Sequence, residues 1–86
     1  MYYVYMLRCR DGTLYTGATD NLERRLAVHN SGKGAKYTRS RLPVVLVYWE
    51  LCPNKSSALR REYAIKQLSR KEKLSLIQTA DPSRKI

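Results

Sequence analysis

The sequence predicts a small α+β domain: a three-stranded antiparallel sheet flanked by helices, in the order β-β-α-β-α-α. Three observations lead to that class. Two tyrosine-rich β runs near the N-terminus meet at Asp11-Gly12, the strongest short hairpin signal a sequence offers. A third apolar run, Val44 to Leu51, has the length and β-branched content of a strand. The segments between and after these runs carry apolar residues at helical spacing, with capping residues ahead of them. Eighty-six residues allow one domain with a thin core. Its expected extent is 1–79, and 80–86, with Pro82 and two basic residues, is expected to be a frayed tail.

The first strand is expected over Tyr2 to Cys9. Val4 and Met6 share one face and Tyr3, Tyr5 and Leu7 the other, so a strand apolar on both sides should be covered on both sides. The second strand spans Thr13 to Ala18. A two-residue loop at Asp11-Gly12 pairs Arg10 with Thr13 and puts Tyr5 and Tyr15 on opposite faces. A three-residue loop, Arg10-Asp11-Gly12, pairs Cys9 with Thr13 and Leu7 with Tyr15, and the two tyrosines then share a face. Gly12 suits the left-handed position of that loop, so the longer loop is the expectation. Gly17 marks either a turn or a place where another group approaches the backbone closely.

Asp20 reads as an N-cap, with Glu23 completing a capping box. The helix is expected over Asn21 to Asn30, with Leu22 and Leu26 as its buried stripe. Arg25 and His29 are one turn apart and project from one side beside that stripe, while Arg24 points to solvent. Ser31 to Leu42 reads as a loop by its glycines and serines, and it ends at Pro43. Pro53-Asn54 stops the third strand. A helix follows from Ser56 to Leu68, capped by Asn54 or Ser56, with Ala58, Leu59 and Ile65 turned inward. Glu62 falls on that stripe, where a carboxylate loses hydration unless it is paired or metal-bound. A plain Glu62–Lys66 pair along the helix is the simpler account. Ser69 and Glu72 form a second capping-box pattern, opening a last helix to Gln78 with Leu74 and Ile77 inward.

Seventeen Lys and Arg against seven Asp and Glu leave a net charge of +10. A body this small with that charge repels itself, which points to a polyanionic partner. Nucleic acid is the first candidate. An anionic membrane surface is second; no apolar run approaches the ~20 residues of a span, and no membrane partner is expected. Lys33, Lys36, Arg39 and Arg41, with Tyr37 interleaved, suit a phosphate-gripping loop as well as a solubilising one. Cys9 and Cys52 are far apart and form no C-x-x-C pair, so buried free thiols are expected rather than a zinc site. The start, Met1-Tyr2-Tyr3, enters a strand at once without signal-peptide features, and a cytoplasmic protein is expected.

This layout leaves Tyr5, Tyr15, Arg25, His29 and Glu62 as the polar residues to be accounted for. They fall within four runs: Tyr3-Val4-Tyr5, then Tyr15-Thr16-Gly17, then Asn21 to Asn30, then Arg61-Glu62-Tyr63-Ala64-Ile65-Lys66. Together and in this order the runs resemble the GIY-YIG nuclease family over essentially the whole chain, in particular its short stand-alone bacterial members. The resemblance implies a metal-dependent endonuclease that hydrolyses phosphodiester bonds in nucleic acid with low sequence specificity. It places Tyr5 and Tyr15 at the signature tyrosines, one activating water and the other hydrogen-bonding the phosphate or the water chain. Arg25 holds the scissile phosphate, His29 helps with proton transfer, and Glu62 is the single ligand of one Mg²⁺ or Mn²⁺ ion. No small-molecule cofactor is implied.

The residue types suit that chemistry on their own terms. An arginine offers a two-pronged fork to phosphate. One carboxylate can hold a hard cation that keeps several waters. A phenol with a pKa of about 10 is a poor base at neutral pH, and Arg25 and a metal are expected to lower it. Three positions depart from the family pattern. Tyr3 stands where the family name has Gly, Thr16 stands at the middle of the second motif, and no Asn follows Glu62, where many members carry one near the end of the domain. The alternative is a nucleic-acid-binding protein with the same fold and little or no catalysis.

Overall fold

The sheet grows from the turn at Arg10-Asp11-Gly12. Cys9 N donates to Thr13 O and Gly12 N to Cys9 O, both at 2.9 Å. Gly12 takes φ 86°, a left-handed conformation that costs a residue with a Cβ. Asp11 braces the exit, its Oδ1 accepting from Thr13 N at 3.1 Å and from Thr13 Oγ1 at 2.6 Å. The computed structural model describes residues 1–79, so the expected tail lies outside the described residues. From this turn β1 (Tyr2–Arg8) runs antiparallel to β2 (Leu14–Thr19), with Leu7 opposite Tyr15 and Tyr5 opposite Gly17. This is the register of the three-residue loop. β3 (Val45–Cys52) pairs antiparallel with the other edge of β1, giving the order β2-β1-β3 with an irregularity between Met6 and Leu7.

A central strand buries both of its faces, as the two-sided apolar pattern requires. Val4 and Met6 pack with Tyr48, Cys52, Ala58 and Ile65. Tyr5 and Leu7 pack on the opposite side with Cys9 and Val44, joined by Leu22, Leu26 and Trp49. Met6 and Leu7 are neighbours in sequence, are 0% and 1% exposed, and belong to different clusters. Burying such a side chain contributes about 1.5–3 kcal/mol. Cys9 and Cys52 are buried and free.

Four helices complete the fold: α1 (Leu22–Asn30), α2 (Lys36–Arg39), α3 (Lys55–Lys66) and α4 (Arg70–Gln78). The α+β class with a three-stranded antiparallel sheet is as expected, but α2 makes the order β-β-α-α-β-α-α. The α1 cap is Asn21, whose Oδ1 accepts from Arg24 N at 3.0 Å, and not Asp20. The cap thus falls one residue later than expected, and Glu23 leaves the third position of a capping box. Asp20 instead pairs with Arg24 at 2.8 Å in an exposed ion pair of small worth. Asn54 caps α3 through Ser57 N at 2.8 Å. Ser69 and Glu72 form the expected capping box, with Ser69 N donating to Glu72 Oε1 at 2.8 Å.

Two leucines expected inside are outside: Leu59 is 47% exposed and Leu74 39%. Each residue turns a helix by about 100°, so Leu59 is rotated off the stripe that carries Ala58 and Ile65. On α4 the core contacts are made by Leu76 and Ile77. A polar bridge ties β3 to α3. Arg61 Nε and Nη2 donate to the Glu50 carboxylate at 2.9 and 2.8 Å, and the Tyr48 hydroxyl donates to the same carboxylate. Burial and this acceptor push Tyr48 up to about 12.

The segment expected to be an irregular loop is fastened at three places. Asn30 at the end of α1 donates to Val44 O at 3.0 Å and accepts from Val44 N at 2.8 Å. Arg10 N donates to Arg41 O at 2.9 Å, and Arg41 Nε donates to Asp11 at 3.1 Å. Thr38 in α2 is completely buried. Among the described residues no helix is long and apolar enough to cross a membrane.

Thr16 is 4% exposed, and its hydroxyl is buried without a hydrogen-bond partner among the described residues. Replacing an orphaned hydroxyl by a methyl of the same shape removes its desolvation cost. Thr16→Val should therefore raise the unfolding free energy by about 1 kcal/mol. A shift of the urea midpoint at constant slope measures it, and a lower midpoint would contradict the orphan.

Candidate active site

β1 points Tyr5 at the face covered by α1, where it is 2% exposed. Its cross-strand partner is Gly17 because nothing larger fits: a Cβ there would lie 2.5 Å from the Tyr5 hydroxyl oxygen and 2.7 Å from Cζ. Gly17 thus marks a close approach within β2. The Tyr5 hydroxyl meets His29 Nε2 at 3.0 Å. His29, in the last turn of α1, is 0% exposed, and its Nδ1 lies 2.9 Å from Thr38 Oγ1. Tyr15 shares this face as the register demands. Its ring lies 6.4 Å from that of Tyr5 and packs edge-on to His29 at 5.3 Å. Tyr37 of α2 stacks on Tyr15 at 6.0 Å, and the Arg41 guanidinium sits 4.1 Å from the Tyr37 ring centre.

Burial, helped by the positive charge of Arg25, pushes His29 down to about 4. The ring is therefore uncharged at neutral pH. Tyr5 moves the other way. Burial raises its pKa, Tyr15 and Glu62 add to that, and the hydrogen bond and charge of Arg25 pull against it without prevailing. Arg25 thus acts on this phenol in the expected, acidifying direction, but removing Tyr5 from water outweighs one partly exposed cation and the net shift is upward. The same influences show that Arg25 from α1 and Glu62 from α3 both act on Tyr5.

Glu62 is largely buried and pairs with Lys66 at 2.7 Å, the simpler pairing that the sequence allows. Among the described residues no three His, Cys, Asp or Glu side chains gather as a closed metal cage. The donor set fits instead a hard, hydrated cation held by one carboxylate. Of the basic candidates, Lys33, Lys36 and Arg39 are exposed. Arg41 is engaged with Asp11 and with Tyr37 O at 2.7 Å, so it braces the segment from within. Through Tyr37 this basic segment borders the tyrosine pair. Thr38 was not among the sequence candidates. A threonine in a polar segment nine residues after His29 carries no periodic signal, and only the folding back of α2 brings it to the ring.

The fold is that of a small nuclease-like domain. A family model described as the GIY-YIG catalytic domain matches residues 1–75, and the chain belongs to the GIY-YIG family. It is 58% identical over 77 residues to a UPF0213 protein of Staphylococcus haemolyticus, covering 90% of this chain and 94% of that protein. A UPF0213 protein of Halobacterium salinarum is 57% identical over 76 residues, covering 88% and 99%. The solution NMR structure of a UPF0213 protein from Bacillus halodurans superposes with a TM-score of 0.60 at 48% identity, covering 96% of this chain and 90% of that one. The names of these relatives state no activity. GIY-YIG domains generally act as nucleases on nucleic acid and generally use divalent metals.

The low pKa of His29 makes stability depend on pH in a definite sense. An unfolded chain protonates histidine near 6.5, the folded protein only near about 4. Between those values the unfolded state binds more protons, so acid favours unfolding. Stability should fall by up to about 3 kcal/mol as pH drops through this window. Urea titrations at pH 7 and pH 4.5 measure the loss, and His29→Gln should flatten it. An equal loss in both proteins would assign the effect to other groups.

Proposed function

We propose that this protein is a metal-dependent endonuclease that hydrolyses phosphodiester bonds in nucleic acid, DNA rather than RNA, with low sequence specificity, acting in the cytoplasm. The observation that carries the reading is the buried Tyr5–His29 contact at 3.0 Å, sharing a face with Tyr15 and acted on by Arg25 and Glu62. A tyrosine kept protonated by burial and joined to an uncharged histidine supports a proton relay.

In this reading Arg25 binds the scissile phosphate and Tyr15 orients it. The Tyr5 oxygen takes a proton from the attacking water while its own proton passes to His29. The new P–O bond forms, the bond to the leaving oxygen breaks, and that oxygen takes a proton from solvent. Glu62 would hold one Mg²⁺ or Mn²⁺, and the ion would supply positive charge to the phosphate. Lys33, Lys36, Arg39 and the Tyr37 edge line the approach, with Arg41 holding them in place.

Supercoiled plasmid should be nicked in Mg²⁺ or Mn²⁺. Glu62→Ala and Arg25→Ala should each lower the rate by about 100-fold or more, the usual scale for losing one charge-stabilising group. Nicking that survives both substitutions would belong to a contaminant and sink the proposal. The Glu62–Lys66 pair and the lack of an Asn after Glu62 favour a second reading, binding without cleavage. It is the outcome if DNA is bound and never cut.

Either reading requires salt-dependent binding. The logarithm of affinity should fall against the logarithm of salt with a slope of about −0.9 for each phosphate contacted. Fluorescence anisotropy with a labelled duplex measures the slope, and a flat line would refute the basic approach.

A further inference from the structure

We infer that Thr38 is a positioning residue: by accepting a hydrogen bond from His29 Nδ1–H it fixes the ring tautomer, so that Nε2 is the bare nitrogen that accepts the hydrogen bond of the Tyr5 hydroxyl. The inference deepens the reading of Tyr5 and His29 given above, and its geometric part stands apart from catalysis. Two contacts bracket the ring, Tyr5 oxygen to Nε2 at 3.0 Å and Nδ1 to Thr38 Oγ1 at 2.9 Å. A neutral histidine carries one N–H, so one contact is a donation and the other an acceptance.

Counting protons decides the direction. The Tyr5 hydroxyl is hydrogen-bonded to His29, and the Arg25 guanidinium acts on it as a nearby donor and positive charge. A guanidinium has no acceptor atom, so among the described residues the buried Tyr5 proton has His29 Nε2 as its acceptor. With Nε2 bare, the ring proton sits on Nδ1 and is donated to Thr38 Oγ1. The Thr38 hydroxyl in turn donates its hydrogen bond to Ala35 O at 2.9 Å. Every proton in the chain Tyr5–His29–Thr38–Ala35 then meets an acceptor. In the reverse direction Thr38 would donate to Nδ1, Nε2–H would donate to Tyr5, and the Tyr5 proton would be left buried with none.

The surroundings hold this arrangement. Thr38 and His29 are both 0% exposed, so water does not compete for Nδ1. The backbone at Gly34 presses on the ring, where a Cβ would lie 2.5 Å from Nδ1 and 2.8 Å from His29 Cα. A basic segment that reads as a phosphate grip is therefore also the clamp that selects the nitrogen facing Tyr5.

The chain has a single histidine, so its two ring nitrogens give one unambiguous set of long-range ¹⁵N–¹H NMR signals. The wild-type protein at pH 7 should show the Nδ1–H tautomer, and Tyr5→Phe should keep it. Thr38→Val, which leaves Nδ1–H without an acceptor, should shift the tautomer ratio toward Nε2–H by about tenfold or more, the scale of one buried unmade hydrogen bond. Thr38→Ser should restore the wild-type pattern. A wild-type protein in the Nε2–H form, or a Thr38→Val protein with an unchanged ratio, would overturn the inference. These signals report the ring and not hydrolysis, so a protein that binds nucleic acid without cutting it would still show them. If plasmid is nicked, Thr38→Val should lower kcat with KM unchanged and Thr38→Ser should recover it.

Discussion

The offset between β1 and β2 is the constraint on which the rest depends. Side chains alternate across a strand, so a slip of one residue would move Tyr15 to the opposite face of the sheet and away from Tyr5. The three-residue turn fixes the offset through Gly12 and the Asp11 brace on Thr13. The same offset sets Gly17 opposite Tyr5, the one place where the phenol can lie across the backbone without meeting a side chain. Register, ring placement and glycine position are one fact seen three times.

A central strand with two buried faces then divides the labour. One face, through Val4 and Met6, anchors α3 and α4 in the larger apolar cluster. The other, through Tyr5 and Leu7, carries the tyrosine–histidine assembly. The helix that holds Glu62 is anchored on the first face yet acts on a residue of the second. The Glu50–Arg61 bridge ties it to β3, and Arg61 is the residue next to Glu62. A partly buried ion pair contributes little net stability, because desolvation offsets its attraction. Its value is directional, since two prongs from one guanidinium hold the rotation of α3.

The segment between α1 and β3 shows how charge and structure combine. It supplies four of the protein's cations, which read naturally as contacts to phosphate. In the fold its contacts with the rest of the protein carry equal weight. Thr38 meets His29, the backbone at Gly34 packs on the ring, and Arg41 ties Tyr37 to Asp11 in the hairpin turn. Electrostatic reach and ring positioning come from the same twelve-residue stretch, 31–42.

Much of the architecture was legible in the residues. The alternation of Val4, Met6 against Tyr5, Leu7, the glycine in the turn, the Ser69–Glu72 box and the Arg25–His29 spacing are local patterns. Each follows from backbone geometry over a few residues, and together with the family resemblance they brought Tyr5, Tyr15 and His29 to one face. The cap at Asn21, the exposure of Leu59 and Leu74, the helix at Lys36–Arg39 and the raised pKa of Tyr5 were not legible. Cap choice and helix rotation depend on which neighbour a side chain meets, and a pKa depends on how much water is excluded. The sequence by itself determined the periods, the turn and the candidate side chains. The tertiary structure alone decided the contacts of Thr38 with His29 and of Arg61 with Glu50, because hydrogen bonds between distant segments have no period in the chain and exist only once the layers have closed.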